Sequence, residues 1–225
     1  LTAILANTAL PGGGRLLRLD SDCAGQARPG HWFRLTVAGQ EHRLAVLDAS
    51  PREGWLAFQA PAALADVTRG APCDSDGPHG SPLPDPAGER QQVVVSDETG
   101  LPAVLFAAAR GEPVALALIA LESEIPDVRL RPSRFVLEGF EAGAIAGVGA
   151  LEDAGIPSRV AHPTPLPGCQ EGVLASLVDT WLSTRSAHER WQMAVTVIGS
   201  TARVHELTAL LRGRVGEHHT CPLPA

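Results

Sequence analysis

Val93-Val94-Val95-Ser96-Asp97-Glu98-Thr99-Gly100-Leu101-Pro102 decides the reading of this chain. A β-branched run breaks into a tight polar turn, and Pro102 restarts the chain as a helix, because proline fits the first helical turn. A strand that feeds a helix N-terminus is how open α/β sheets build a nucleotide site, since exposed amides and the helix dipole both attract phosphate. Here Asp97 and Glu98 stand where that phosphate would sit. A carboxylate ~6 Å from a phosphate charge costs ~3 kcal/mol at an effective dielectric of about 20, roughly a hundredfold in affinity. The same residues also read as a simple cap: Asp97 or Thr99 ahead of Pro102 satisfies free amides, and acids near a helix start complement its dipole. Both readings stay open at the level of this turn.

Outward from the turn, strand and helix patterns alternate. The reading is strand Gln92–Ser96, helix Pro102–Ala109, strand Pro113–Leu121, strand Arg134–Leu137, helix Ala142–Ala154 and strand Ser158–Ala161. Helix Glu171–Ser183, strand Ala194–Ile198 and helix Ala202–Leu211 follow. Continuous apolar strands between helices predict a doubly wound parallel sheet covered on both faces. In Glu171–Ser183 the spacing of Val173, Leu174, Leu177, Val178, Trp181 and Leu182 is helical.

The N-terminal part has a different period. Ala3–Asn7, Arg15–Leu19, His31–Val37, His42–Leu47 and Trp55–Gln59 read as short strands, separated by turns such as Pro11-Gly12-Gly13-Gly14, Pro29-Gly30 and Ala38-Gly39. Such spacing predicts a small antiparallel barrel. Pro61–Ala65 reads as one helical turn, and the Pro- and Gly-rich stretch from Asp74 to Gln91 as linker. The expectation is a barrel over residues 1–90 and an α/β domain over 91–225.

Composition narrows the function. The 225 residues carry a net charge of −7, which argues against a nucleic-acid partner, because phosphate neutralisation needs a basic face. No apolar run approaches the ~18 residues of a membrane span, and no secretory signal pattern opens the chain. Cys23, Cys73, Cys169 and Cys221 lie far apart with no C-x-x-C pair, so neither zinc nor an iron–sulfur cluster is expected, and free thiols point to the cytoplasm. His218-His219-Thr220-Cys221 has no recognisable partner ligand and reads as a terminal tail. Cys169 reads either as a silent loop thiol or as a reactive one at a helix start.

The order of the pieces resembles the ferredoxin–NADP reductase superfamily, which joins a flavin-binding barrel to a nicotinamide-nucleotide domain. Pro29-Gly30-His31-Trp32-Phe33, Arg43-Leu44-Ala45-Val46 and Gly77-Pro78-His79-Gly80 are similar to segments of the electron-transfer subunit of bacterial dihydroorotate dehydrogenase. Gly155-Ile156-Pro157-Ser158-Arg159-Val160 and Gly168–Leu174 continue that likeness. Asp97-Glu98-Thr99-Gly100-Leu101-Pro102 is more like the turn of siderophore-interacting ferric reductases. The chain departs from the family where the flavin motif has Ala45 and Val46 in place of an aromatic and a hydroxyl. It departs again at Gly199-Ser200-Thr201, where a cysteine-containing turn is usual, and it lacks the four-cysteine [2Fe–2S] segment.

The resemblance implies a flavin-dependent oxidoreductase or electron-transfer subunit. FAD or FMN phosphates would lie on Arg43 and on the turn Gly77-Pro78-His79-Gly80-Ser81, through the amides of its non-proline residues, with Leu44, Ala45 and Val46 along the flavin. NADH or NADPH would lie on Thr99, Gly100, Gly199, Ser200 and Thr201. Glu122 closes the second strand of the α/β domain, where an acid can bond ribose hydroxyls or can simply meet solvent. No side chain is expected to act as general acid or base. The acceptor would be a protein redox partner, a catalytic subunit or a metal, and an oligomer is compatible with this. The alternative is a degenerate relative without one or both cofactors, acting as a binding or scaffolding subunit.

Overall fold

The computed structural model describes residues 2–224. Six strands close an antiparallel barrel: β1 (Thr2–Ala9), β2 (Arg15–Asp20), β3 (Trp32–Val37), β4 (Gln40–Ser50), β5 (Trp55–Ala60) and β6 (Pro72–His79), in the order β1-β2-β5-β4-β3-β6. Alternation builds it. Leu17 and Leu19 of β2 point inward while Arg18 between them lies outside, its guanidinium 4.5 Å over the Trp55 ring. Phe33 and Phe58 meet edge to face in the barrel core, 5.8 Å apart. β3 and β4 turn through Ala38 and Gly39, both at positive φ, which matches a two-residue hairpin to strand twist.

β6 corrects the linker reading. Pro72–His79 pairs with both β1 and β3 and closes the barrel, although Cys73 is its one fully buried hydrophobe. A strand held by neighbours on both sides needs little apolar character of its own. The connection that follows runs from Gly80 to Arg90, held by Gln92 Nε2 donating to the Pro84 carbonyl and by the Ala87 amide donating to Glu217.

The second unit is a six-stranded parallel sheet. Its elements are β7 (Gln91–Ser96), α1 (Leu101–Ala109), β8 (Val114–Ala120), the ribbon β9 (Leu130–Pro132) with β10 (Ala146–Val148), α2 (Gly149–Asp153) and β11 (Ser158–His162). Then follow β12 (Gln170–Glu171), α3 (Leu174–Ser183), α4 (Ala187–Trp191), β13 (Met193–Ser200), α5 (Thr201–Leu211) and β14 (Glu217–Leu223). The sheet order is β12-β11-β8-β7-β13-β14. Connections step one way from β7 and the other way from β13, so the strand order reverses between these two neighbours. In open α/β sheets that reversal is where ligands bind.

α1 lies between sheet and barrel. Leu101 and Val104 join the sheet's apolar layer, while Phe106 enters the barrel core and is fully buried there. Burying one such ring contributes about 2–3 kcal/mol and fastens the two units together.

Three further expectations change. Arg134–Leu137 is not a strand: Val136 is 96% exposed, and the Phe135 carbonyl is held by Arg159 instead of a strand partner. The helix expected over Ala142–Ala154 shrinks to Gly149–Asp153, because Ala146–Val148 pairs with β9. His218–Cys221 is no loose tail but part of β14, parallel to β13. No helix among the described residues is long and apolar enough to cross a membrane.

Candidate functional site

A cleft of about 560 Å³ opens between the barrel and the carboxyl edge of the sheet. Arg43, Leu44 and Ala45 of β4 and the corner Gln59-Ala60-Pro61 form one wall. Asp97, Glu98, Thr99, Pro102, Glu122, Asp127, Ser200 and Arg203 form the other.

The sheet wall is built around Asp97. Its side chain leaves the end of β7 and reaches the end of β13, spanning the point of strand-order reversal. Oδ2 accepts the Ser200 amide at 2.9 Å and the Ser200 hydroxyl at 2.7 Å, and Oδ1 accepts the Gly100 amide at 3.0 Å. Asp97 is 6% exposed. Gly199, at φ 155°, passes directly beneath it: a Cβ there would lie 2.3 Å from Asp97 Oδ1. Glu98 does the same for the next loop, accepting the Glu122 and Ser123 amides at 3.1 Å each. Glu122 in turn pairs with Arg203 at 2.8 Å, and Arg203 also holds Glu206 at 2.6 Å.

The barrel wall is simpler. Arg43 is exposed and paired with Glu41 at 3.1 Å, beside a floor of small or apolar residues, Leu44, Ala45, Ala60 and Pro61. Asp127, on the loop after β8, accepts the Gly14 amide at 3.0 Å and Gln59 Nε2 at 3.3 Å, so this loop bridges from the sheet to the barrel. That close approach uses the glycines of the β1–β2 turn, since a Cβ at Gly12 or Gly14 would collide with Ile125 or Asp127.

Of the residues singled out from the sequence, Arg43, Leu44, Ala45, Thr99, Glu122 and Ser200 meet in the cleft. Val46 points into the barrel core and is fully buried. Gly100 lies behind the wall, where a Cβ would strike the Ile198 carbonyl. Thr201 is exposed at the start of α5 but does not line the cleft.

The turn Gly77-Pro78-His79-Gly80-Ser81 does not line this cleft. Gly77 gives way to the Phe33 ring, and Gly80 to the Trp32 indole. Ser81 faces a separate cavity with His218 and Cys221. Those glycines therefore serve aromatic packing. Ser200 holds the N-cap position of α5 without a capping bond, because its hydroxyl is given to Asp97. Cys169 is no activated thiol: burial pushes it up to about 11, and the nearest following helix begins only at Leu174. Among the described residues no cluster of three or more His, Cys, Asp or Glu side chains is placed to hold a metal ion.

Gln59, Asp127 and Arg203 line the cleft without any signal in the sequence. Gln59 and Asp127 are 68 positions apart and meet only through the fold.

The two walls differ in what they fit. Arg43 above small residues suits a flat ring system with a phosphate beside it, because nothing bulky fills the floor. On the sheet wall the Gly100 and Ser200 amides already donate to Asp97, and four carboxylates against two guanidiniums line the cleft as a whole.

Solved structures with this architecture lie across the ferredoxin–NADP reductase superfamily. The chain is similar to the ferredoxin reductase of carbazole 1,9a-dioxygenase at 15% identity, covering 98% of this chain and 68% of that one, with a TM-score of 0.70. It is similar to the Amycolatopsis cytochrome P450 reductase GcoB at 15% identity, over 100% and 69% of the two chains, with a TM-score of 0.68. The siderophore-interacting protein of Acinetobacter baumannii aligns at 12% identity over 98% and 89%, with a TM-score of 0.61. At these identities the likeness establishes the two-domain fold. No protein-family profile matches the sequence, and no curated protein is recognisably similar to it.

Proposed function

We propose that this protein is a flavin-dependent oxidoreductase that carries an FAD- or FMN-type flavin on the barrel wall and exchanges electrons with a protein or metal partner. The observation that carries the reading is the floor of Ala45, Ala60 and Pro61 beside the accessible Arg43 guanidinium, in a cleft at the point of strand-order reversal. The similar solved structures support it, since those named above include a ferredoxin reductase and a cytochrome P450 reductase.

In this reading residues 1–90 bear the flavin and residues 91–225 form the facing wall. When bound, the flavin supplies the one- and two-electron chemistry, which is the cofactor's own. The chain supplies position and charge. Arg43 would exchange Glu41 for a flavin phosphate at little cost, because surface ion pairs are weak. Leu44 and Ala45 present an apolar face to the ring, while Val46, locked in the barrel core, keeps β4 in register beneath it. Asp127 holds the loop after β8 against the barrel and fixes the width of the opening. NADH or NADPH would meet the sheet wall, where Asp97 already holds the Gly100 and Ser200 amides.

Purification tests the reading directly. The protein is expected to be yellow, or to become so on incubation with FAD or FMN, and to release a fluorescent flavin on heating. Colourless protein that takes up neither flavin would overturn the proposal and leave a two-domain scaffold acting beside a catalytic partner.

A further inference from the structure

We infer that the Asp97 carboxylate acts as a built-in substitute for a ligand phosphate and bars nucleotide pyrophosphates from the crevice between β7 and β13. This goes beyond the flavin proposal and does not depend on it.

A pyrophosphate at a strand-order reversal is held by main-chain amides at helix N-termini. In this protein two of the amides at that point, Gly100 ahead of α1 and Ser200 ahead of α5, are already engaged. Both donate to Asp97 at 2.9–3.0 Å, and the Ser200 hydroxyl donates to it as well. The carboxylate is almost completely buried, so it is a part of the wall and not a surface charge passing by. Gly199 has no Cβ, which is what lets Asp97 lie across it.

Displacement offers no easy way in. A phosphate could reach the amides only if Asp97 swung out into the cleft, and there it would join Glu98, Glu122 and Asp127. The nearest cation on that wall, Arg203, is already divided between Glu122 and Glu206. The Gly100 and Ser200 donors are engaged, the cation is neutralised, and the exit for Asp97 is acidic. Each condition separately disfavours a dianion, and all follow from side chains of this chain. The consequence is that no dinucleotide is laid across the sheet edge.

The test is binding, read on the polypeptide. NADH, NADPH and inorganic pyrophosphate are titrated into wild type, Asp97→Gly and Asp97→Asn by calorimetry, with amide shifts followed at Gly100 and Ser200. Wild type is expected to show no saturable binding below about 1 mM, and Asp97→Gly to bind pyrophosphate at least about tenfold more tightly than wild type. Wild-type binding of either dinucleotide below about 0.1 mM with shifts at both amides would overturn the inference, as would a folded Asp97→Gly protein no tighter than wild type. Should circular dichroism show Asp97→Gly unfolded, Asp97→Asn decides, since it keeps the shape and removes the charge; no gain over wild type sinks the idea. The flavin reading fails by colour and this one by titration, so the two failures are distinguishable.

Discussion

The two walls of one cleft have been treated in opposite ways. On the barrel side Arg43 is accessible and paired with an exposed glutamate, above residues too small to fill the space. On the sheet side Asp97 and Glu98 take up amides at the switch point and the adjoining loop, and the glycines that a nucleotide would need are packed against the protein's own atoms. The difference teaches that a fold can keep a ligand crevice in shape while its binding groups are spent internally on one side. Architecture and binding capacity are therefore separate inferences, drawn from different atoms.

The comparison presumes that the walls are held at a fixed spacing, and Phe106 is the residue that most directly holds them. Phe106→Ala should lower unfolding stability by about 3–5 kcal/mol, because a ring leaves a cavity in the barrel core. Urea denaturation followed by Trp fluorescence and far-ultraviolet dichroism would check it. A wild-type unfolding curve that separates into two transitions would show that the walls belong to independent units.

Next comes the sheet wall itself. Asp97→Ala should cost about 2 kcal/mol, since the Gly100 and Ser200 amides lose a charged acceptor, and Ser200→Ala should cost about 1 kcal/mol because one bond is lost. Equal losses in the two variants would mean that Asp97 is not the organising group.

The barrel wall should behave in the reverse manner. Arg43→Ala is expected to leave the denaturation midpoint unchanged and to weaken flavin retention about tenfold or more, as loss of a charge-assisted bond does. Flavin occupancy after dialysis measures this, and unaltered occupancy would remove Arg43 from the site.

The smallest effect concerns Cys169, packed beneath the sheet wall's apolar layer. Burial raises its thiol to about 11, so at pH 8 only on the order of one molecule in a thousand carries the nucleophilic thiolate. Alkylation of Cys169 by iodoacetamide at pH 8, read on its own peptide, should be far slower than for a small-molecule thiol, and should accelerate as pH rises toward 11. Rapid labelling at pH 8 would show that the layer opens.

Much of this was readable along the chain. Leu17–Leu19 and Phe33–Leu35 announce barrel strands because inward and outward residues alternate. Val93–Val95 and Ala194–Ile198 announce buried parallel strands because both faces are covered. β6 and β14 were illegible for one reason: Pro-Cys-Asp-Ser-Asp-Gly-Pro-His and Glu-His-His-Thr-Cys-Pro-Leu are polar, and they are strands because neighbours supply hydrogen bonds. Arg134–Leu137 failed in the opposite sense, being apolar enough for a strand yet lying in the loop after β9, with Val136 exposed.

What the amino-acid order determined by itself was the pair of architectures, their sequence along the chain, and the suspicion attached to Asp97 and Glu98. Only the tertiary structure decided what those acids do. Asp97 and Ser200 are 103 positions apart, and whether a carboxylate repels a phosphate or replaces one depends on which amides lie within 3 Å of it. Periodicity is a local property that a sequence displays directly, whereas hydrogen-bond partners across a sheet are fixed by strand order, which residue spacing does not contain.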